Sequence, residues 1–241
     1  MMTKMQQSVC ALAVLAATTL PAMAESVDVR VIGTITPAAC TPTLSGGGTV
    51  DYGTINPNTL SATDYTVQPV KQLDISITCD APAKVALKAI NGRPNTLAGA
   101  VESAVTGYGY EPVALVGAAY GASRGGAGGL GLDGSSKIGG YAIALGSLVA
   151  DGSAADVIAS LDTTAATWAV TSNADGFNMF RPAGSVPTLV SAAAPGTTIP
   201  MAFTNLAGKL SVQAYINHAS ELDLTKPVAL DGLTTLELVY M

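Results

Sequence analysis

ESVDVRVIGTITPAAC, residues 25–40, is the stretch on which the reading of the fold turns. Val27, Val29, Val31, Gly33 and Ile35 hold the odd positions; Ser26, Asp28, Arg30, Thr34 and Thr36 hold even ones, with Ile32 the apolar exception. Side chains of an extended chain alternate between two faces, so this pattern predicts a strand that buries one face. Pro37 ends the run and Cys40 follows. Alternation by itself fits two arrangements: a first strand paired within its own sheet, or a strand offered to a neighbouring molecule.

On the N-terminal side lies a processing signal. Lys4 precedes an apolar run from Val9 to Leu20, which closes on Pro21-Ala22-Met23-Ala24, an A-x-A site before Glu25. The run is too short to span a bilayer and has the layout of a cleaved secretory signal, residues 1–24. Cys10 opens the run and lacks the small-residue context of an acylated cysteine, so a lipoprotein reading is rejected. Removing 24 of the 241 residues leaves 217, a length that fits an N-terminal extension, residues 25–36, and one large β domain, residues 37–241.

The mature chain carries 10 Lys and Arg against 17 Asp and Glu, a formal charge of −7. Nucleic acid and anionic lipid are poor partners for such a surface, because phosphate binding needs a basic one. Only 12% of residues are charged while 49% are hydrophobic, a balance that suits a subunit burying surface against neighbours and equally a bland soluble β protein. Cys40 and Cys79 are the two cysteines left after cleavage, and an even count in an exported chain predicts a disulfide. Two cysteines and a single histidine, His218, do not make a zinc site.

Along the chain, short strands alternate with turns. Ser45-Gly46-Gly47-Gly48 predicts a turn, Thr49–Ile55 a strand stopped by Asn56-Pro57, and Lys71–Cys79 a strand with Leu73, Ile75, Ile77 and Cys79 on one face. Asp80-Ala81-Pro82 is expected to turn the chain into a strand over Lys84–Ile90, stopped by Asn91-Gly92-Arg93-Pro94. Residues 92–140 differ: 12 of the 26 glycines lie between Gly107 and Gly140, and the stretch is expected to be a mostly irregular insertion with little packing of its own. Further strands are expected over Lys137–Val149, Trp168–Val170, Phe177–Phe180, Thr198–Thr204, Lys209–Ile216 and Leu233–Tyr240, with one or two helical turns over Val157–Leu161. Many short strands with Gly, Pro and Asn turns predict an all-β sandwich.

No constellation points to catalysis, and the chain is expected not to be an enzyme. The GAGGLG run at 126–131 matches G-x-G-x-x-G but lacks the strand, helix and acidic residue of a dinucleotide site, so no cofactor is expected. His218 has no G-x-S-x-G serine to serve, and no two acids are placed together for glycoside hydrolysis. A solvated histidine near a strand end, and Trp168 as a core residue, are the simpler readings.

An alternating segment with one glycine on its apolar face, then Pro37 and Cys40, then Cys79 closing an alternating strand, and a penultimate Tyr240 form a combination that resembles the chaperone–usher fimbrial subunits, in a longer branch. The resemblance covers most of residues 25–90 and the last ten or so. It implies an incomplete immunoglobulin-like β-sandwich whose missing strand leaves a groove, filled first by a periplasmic chaperone and then by the N-terminal extension of the next subunit. It implies that Val27, Val29, Val31, Gly33 and Ile35 of segment 25–36 are the donor residues, and that Gly232, Leu236, Leu238 and Tyr240 meet the chaperone or line the groove. Implied partners are the chaperone, an outer-membrane usher and neighbouring subunits, and the implied location is the cell surface, reached through the periplasm. The implied role is a structural fimbrial subunit supporting adhesion; a tip adhesin using the glycine-rich insertion as receptor surface is the second reading. The physics agrees: a strand added to an open edge gains main-chain hydrogen bonds, and each buried Val or Ile contributes roughly 1.5–3 kcal/mol. Taken alone, Tyr240 also fits a strand-end aromatic at a water boundary.

Overall fold

The computed structural model describes residues 27–34, 38–117, 125–162, 164–171, 176–183 and 186–241. The chain divides into two units at the Thr36/Pro37 boundary. In the first unit, residues 27–34 form no strand, and Val27, Val29 and Val31 are 85–94% exposed. The signal segment and Ile35 lie outside the described residues.

The second unit is all-β, as the sequence predicts. Eight strands make one antiparallel path: β1 (Cys40–Leu44), β2 (Lys71–Ala83), β3 (Val85–Asn91), β4 (Gly139–Ala150), β5 (Ser153–Ser160), β6 (Leu189–Ala193), β7 (Phe203–Ile216) and β8 (Thr234–Tyr240). Their order is β1-β2-β7-β4-β5-β6-β3-β8. Strand β5 is the corner: Ser153–Ala155 pair with β4, whereas Asp156–Ser160 pair with β6. The ribbon therefore folds into two layers, with β1 and β8 at its two ends. Among the described residues the only helical elements are three short 3-10 turns.

The core lies between the layers. Ile75, Ile77 and Cys79 of β2, Leu87 and Ala89 of β3, and Leu145 of β4 are buried, as strict alternation on half-buried strands requires. Cys40 and Cys79 face each other in the β1–β2 register and are joined by the expected disulfide. The neighbouring Asp80 N–H donates to Ala39 O at 3.0 Å, which makes Cys40–Cys79 the closer, non-hydrogen-bonded kind of cross-strand pair; their Cα atoms are 4.0 Å apart. At the opposite corner Asp151-Gly152 forms a two-residue hairpin with both φ values positive, at 47° and 82°, the conformation that suits strand twist.

Five expectations are corrected. Thr49–Ile55 is not a strand, because Asp51 Oδ1 accepts from Gly53 N at 2.7 Å and Gly53 takes φ +65°, which bends the chain. Asp80-Ala81-Pro82 does not end its strand; β2 runs to Ala83, and the register skips from Thr78↔Asn205 to Ala83↔Phe203, a bulge that accommodates a proline without an N–H. Val157–Leu161 holds no helix: residues to Ser160 belong to β5, buried on both faces, where no alternation remains to be read. Of Thr198–Thr204 only Phe203 and Thr204 are strand; Pro200 makes an isolated bridge to Ala193.

The fifth correction concerns the insertion, whose described residues are packed. Gly126–Gly129 is a fully buried strand paired to β4 and to Gly109–Tyr110. Leu97, Ala98 and Ala127 form a second core cluster with Tyr215, and Tyr108 stacks on Phe180 at 4.1 Å. Glycine is what permits this: a Cβ on Gly126 would lie 2.5 Å from the carbonyl oxygen of Phe180, so only a bare backbone fits.

Candidate functional site

A groove of about 840 Å³ opens over the inner face of the first layer. Its floor is Leu73 of β2, Ile143 of β4 and the alternate residues Leu210, Val212, Ala214 and Ile216 of β7. Those four β7 positions span six residue steps, about 20 Å at strand spacing. Leu210 stands opposite both Leu73 and Leu145, and Val212 opposite Ile143, so the register of the sheet sets the row.

Two stretches of non-strand chain wall the groove. The first continues β1 and carries Val50, Tyr52, Ile55 and Leu60. Tyr52 pins this wall to the floor: its hydroxyl donates to Val212 O at 3.2 Å and accepts from Ala214 N at 3.1 Å, just beyond Lys71, the first residue of β2, which stands opposite Val212. Burial raises its pKa, partly offset by the Ala214 hydrogen bond. The second wall precedes β8 and carries Leu224, Val228 and Leu230, with Leu236 of β8 beyond them. Leu222, Leu224, Val228, Leu230 and Gly232 recur at even positions, so this stretch alternates like a strand while pairing with none. That alternation was the signal available in the sequence for this wall.

The groove therefore lies between the two ends of the strand path. β1 pairs only with β2, and β8 pairs only with β3, so each keeps one edge unpaired in the sheet. At one end of β8 the two edges touch, the Cys40 N–H donating to the Tyr240 hydroxyl at 2.7 Å. At the other end Tyr141 and Thr234 hydroxyls meet at 2.6 Å. Burial pushes the Tyr141 phenol up to about 12, against the opposing pull of the Thr234 bond and of Arg93.

Of the residues singled out from sequence, Gly232 and Leu236 line the groove, and Leu238 packs on the core from the same face of β8. Tyr240 sits at the strand end beyond the groove lining, half-exposed. A Cβ on Gly232 would come 2.9 Å from the Tyr141 ring. Val27, Val29, Val31 and Gly33 belong to the other unit and are exposed. His218 is away from the groove, its ring 4.5 Å from that of Tyr65. Trp168 is half-buried, its indole donating to Ala165 O at 2.8 Å. No group of three or more metal-ligating side chains occurs among the described residues. The sequence reading found the strand that carries Leu210–Ile216 but not its place as a groove floor, and it missed both non-strand walls.

With this geometry in view, the comparisons with known proteins define a likeness. A family described as "Protein of unknown function (DUF1120)" matches residues 29–142, from the alternating segment through both cysteines and the insertion. The chain is 27% identical to Protein GltF of Escherichia coli (strain K12) over 253 aligned residues, covering 97% of this chain and 96% of that protein. It is 28% identical to the uncharacterized protein YhcF of the same strain over 223 residues, covering 90% of each. No solved structure matches the chain significantly.

Proposed function

We propose that this protein is a structural subunit of a chaperone–usher fimbria, an immunoglobulin-like sandwich one strand short, which polymerises by receiving the 25–36 segment of another copy into the groove. The observation that carries this reading is the position of the groove: an apolar row of alternate β7 residues lies between the two unpaired ends of the strand path. An incoming strand would gain main-chain hydrogen bonds on a free edge; the four β7 residues are 0–7% exposed, with Leu222, Val228 and Leu230 packed against the same core, so in this reading its alternate side chains take the place of that non-strand wall. The occupant is named by its own pattern. Val27, Val29, Val31 and Ile35 alternate as the floor does, and the three valines are left in solvent. In this reading the protein does no chemistry beyond its disulfide, is exported through the periplasm to the cell surface, and meets a periplasmic chaperone and an outer-membrane usher on the way.

Binding of a synthetic 25–36 peptide tests this. The acceptor is the mature chain with its own segment disabled by Val29→Asp and Val31→Asp. The peptide should bind and raise the melting temperature, and a peptide carrying the same two aspartates should do neither. Equal behaviour of the two peptides would remove the donor role.

A further inference from the structure

Residues 222–232 cover the groove floor without belonging to any sheet. Leu222, Leu224, Val228 and Leu230 are half-buried along the groove, while Asp223, Thr225, Ala229 and Asp231 are exposed. Leu222, Val228 and Leu230 pack against the core cluster that holds Leu210, Val212, Ala214 and Ile216. The cover is a strand in its side chains and not in its backbone. Pro227 has no N–H, and Asp223 Oδ1 bends the chain by accepting from the Thr225 N–H at 3.2 Å and the Thr225 hydroxyl at 2.6 Å. Among the described residues, one hydrogen bond joins the main chain of 223–232 to main chain elsewhere, Asp231 N–H to Leu130 O at 2.9 Å.

Both ends of this stretch are fastened. Before it, Ala219 N–H donates to Ser61 O at 2.9 Å and the Ser220 hydroxyl to Ala62 O at 2.7 Å; after it, Gly92 N–H donates to Leu233 O at 2.8 Å and β8 begins. Between these anchors two ion pairs hold it, and both reach the glycine-rich insertion. Arg93 grips Asp231 through Nε and Nη2, at 2.8 and 2.7 Å, the planar fork that a carboxylate fits best. Lys226 Nζ is 2.8 Å from Asp133, which sits in a hairpin of Leu132–Asp133 with Ser136–Lys137. Lys226 and Asp231 stay largely in water, so each pair is a weak link that opens easily. We propose that residues 222–232 are a strap that closes the groove in the unassembled subunit, and that the insertion is its keeper, latching it through Lys226–Asp133 and Arg93–Asp231. The strap keeps the apolar floor out of water until assembly. A fully extended strand displaces it by gaining the main-chain hydrogen bonds that the strap does not make. That exchange rests on the groove being a strand acceptor; the latched strap does not.

The test uses the same tail-disabled mature chain with two readouts: fluorescence of anilinonaphthalene sulfonate, which reports exposed apolar surface, and the rate at which a fluorescent 25–36 peptide is taken up. Lys226→Asp with Asp231→Lys leaves the net charge unchanged and sets like charges against Asp133 and Arg93. Dye fluorescence should rise, and peptide uptake should be roughly tenfold faster, because two weak pairs become two weak repulsions. Adding Asp133→Lys and Arg93→Asp rebuilds both pairs with their signs exchanged, and should return both readouts to the parent values. A dye signal and an uptake rate unchanged by the first pair of substitutions overturn the strap. A rise that the second pair fails to undo also overturns it, since that is general loosening of the fold. If the dye follows the charges as expected and no variant takes up peptide, the strap stands and the strand-acceptor reading has failed.

Discussion

The backbone N–H of Cys40 donates to the side-chain hydroxyl of Tyr240 at 2.7 Å, joining residues 200 apart in the chain. It fastens the start of β1, next to the disulfide, to the end of β8, next to the C-terminus. Both strands have partners on one side only, so this bond is a direct link between the two free edges. Tyr240→Phe keeps the ring and removes the acceptor. The expected result is a loss of about 0.5–1.5 kcal/mol in urea unfolding, with an unchanged circular dichroism spectrum. No change in the unfolding midpoint would mean that the link is not maintained in solution.

The Cys40–Cys79 disulfide closes a loop with a sequence separation of 39 and holds β1 to β2. The chain-entropy treatment assigns such a loop about 4 kcal/mol of stabilisation. The double substitution Cys40→Ser, Cys79→Ser should therefore shift denaturant unfolding by several kcal/mol, and reduction of the natural protein should shift it alike. Equal stability of oxidised and reduced protein would show that β1 contributes nothing to the folded body.

Gly126→Ala probes whether the insertion is packed. The added methyl would sit 2.5 Å from Phe180 O and 2.8 Å from its carbonyl carbon, both backbone atoms that cannot rotate away. Overpacking of this kind costs about 1–3 kcal/mol. Gly134→Ala is the contrast, since a Cβ there meets nothing within 4 Å and only the positive φ of 62° opposes it. The expected order of melting temperature is parent, then Gly134→Ala, then Gly126→Ala. The reverse order of the two variants would mean that the insertion is loose.

Alkaline stability follows from the buried phenols. Tyr141 is pushed up to about 12, and Tyr108 and Tyr215 are also raised by burial. A phenol with a folded-state pKa above its unfolded value near 10 keeps its proton longer when folded. Its contribution is complete below pH 10 and is lost as pH rises from 10 toward 12, by about 1.4 kcal/mol per pH unit for each phenol. Urea midpoints measured between pH 8 and 11.5 should be level at first and then fall steeply, with tyrosinate absorbance rising as the protein unfolds. A flat profile to pH 11.5 would contradict the burial of these rings.

How much of this was legible in the sequence depends on whether each strand keeps a solvent face. β2 and the second half of β7 alternate plainly, Leu73 to Cys79 and Leu210 to Ile216, and both were readable from period two, although β2 runs on through Pro82 to Ala83, past the point where the alternation stops. The second half of β5 and all of β6 are buried; DVIAS and LVSAA carry no alternation and offered no period to find. The insertion misled for a different reason. Glycine density ordinarily marks loops, but here it marks close approach, with Gly126–Gly129 pressed against Phe180, Thr96 and Tyr108. Of the groove, Gly232 and Leu236 were legible from the C-terminal pattern. Tyr52 was not, because its task depends on Val212 and Ala214, 160 residues away, and nothing local signals that partnership.

The central claim is that the space between β1 and β8 is the seat of another molecule's leading segment. A crystal structure of the tail-disabled mature chain with the 25–36 peptide tests it most directly. The account predicts an extended peptide lying between those two strands, bonded through its main chain to a free edge, with alternate side chains resting on Leu210, Val212, Ala214 and Ile216. A peptide bound elsewhere, or Leu222, Val228 and Leu230 still seated against the core with the peptide present, would contradict it.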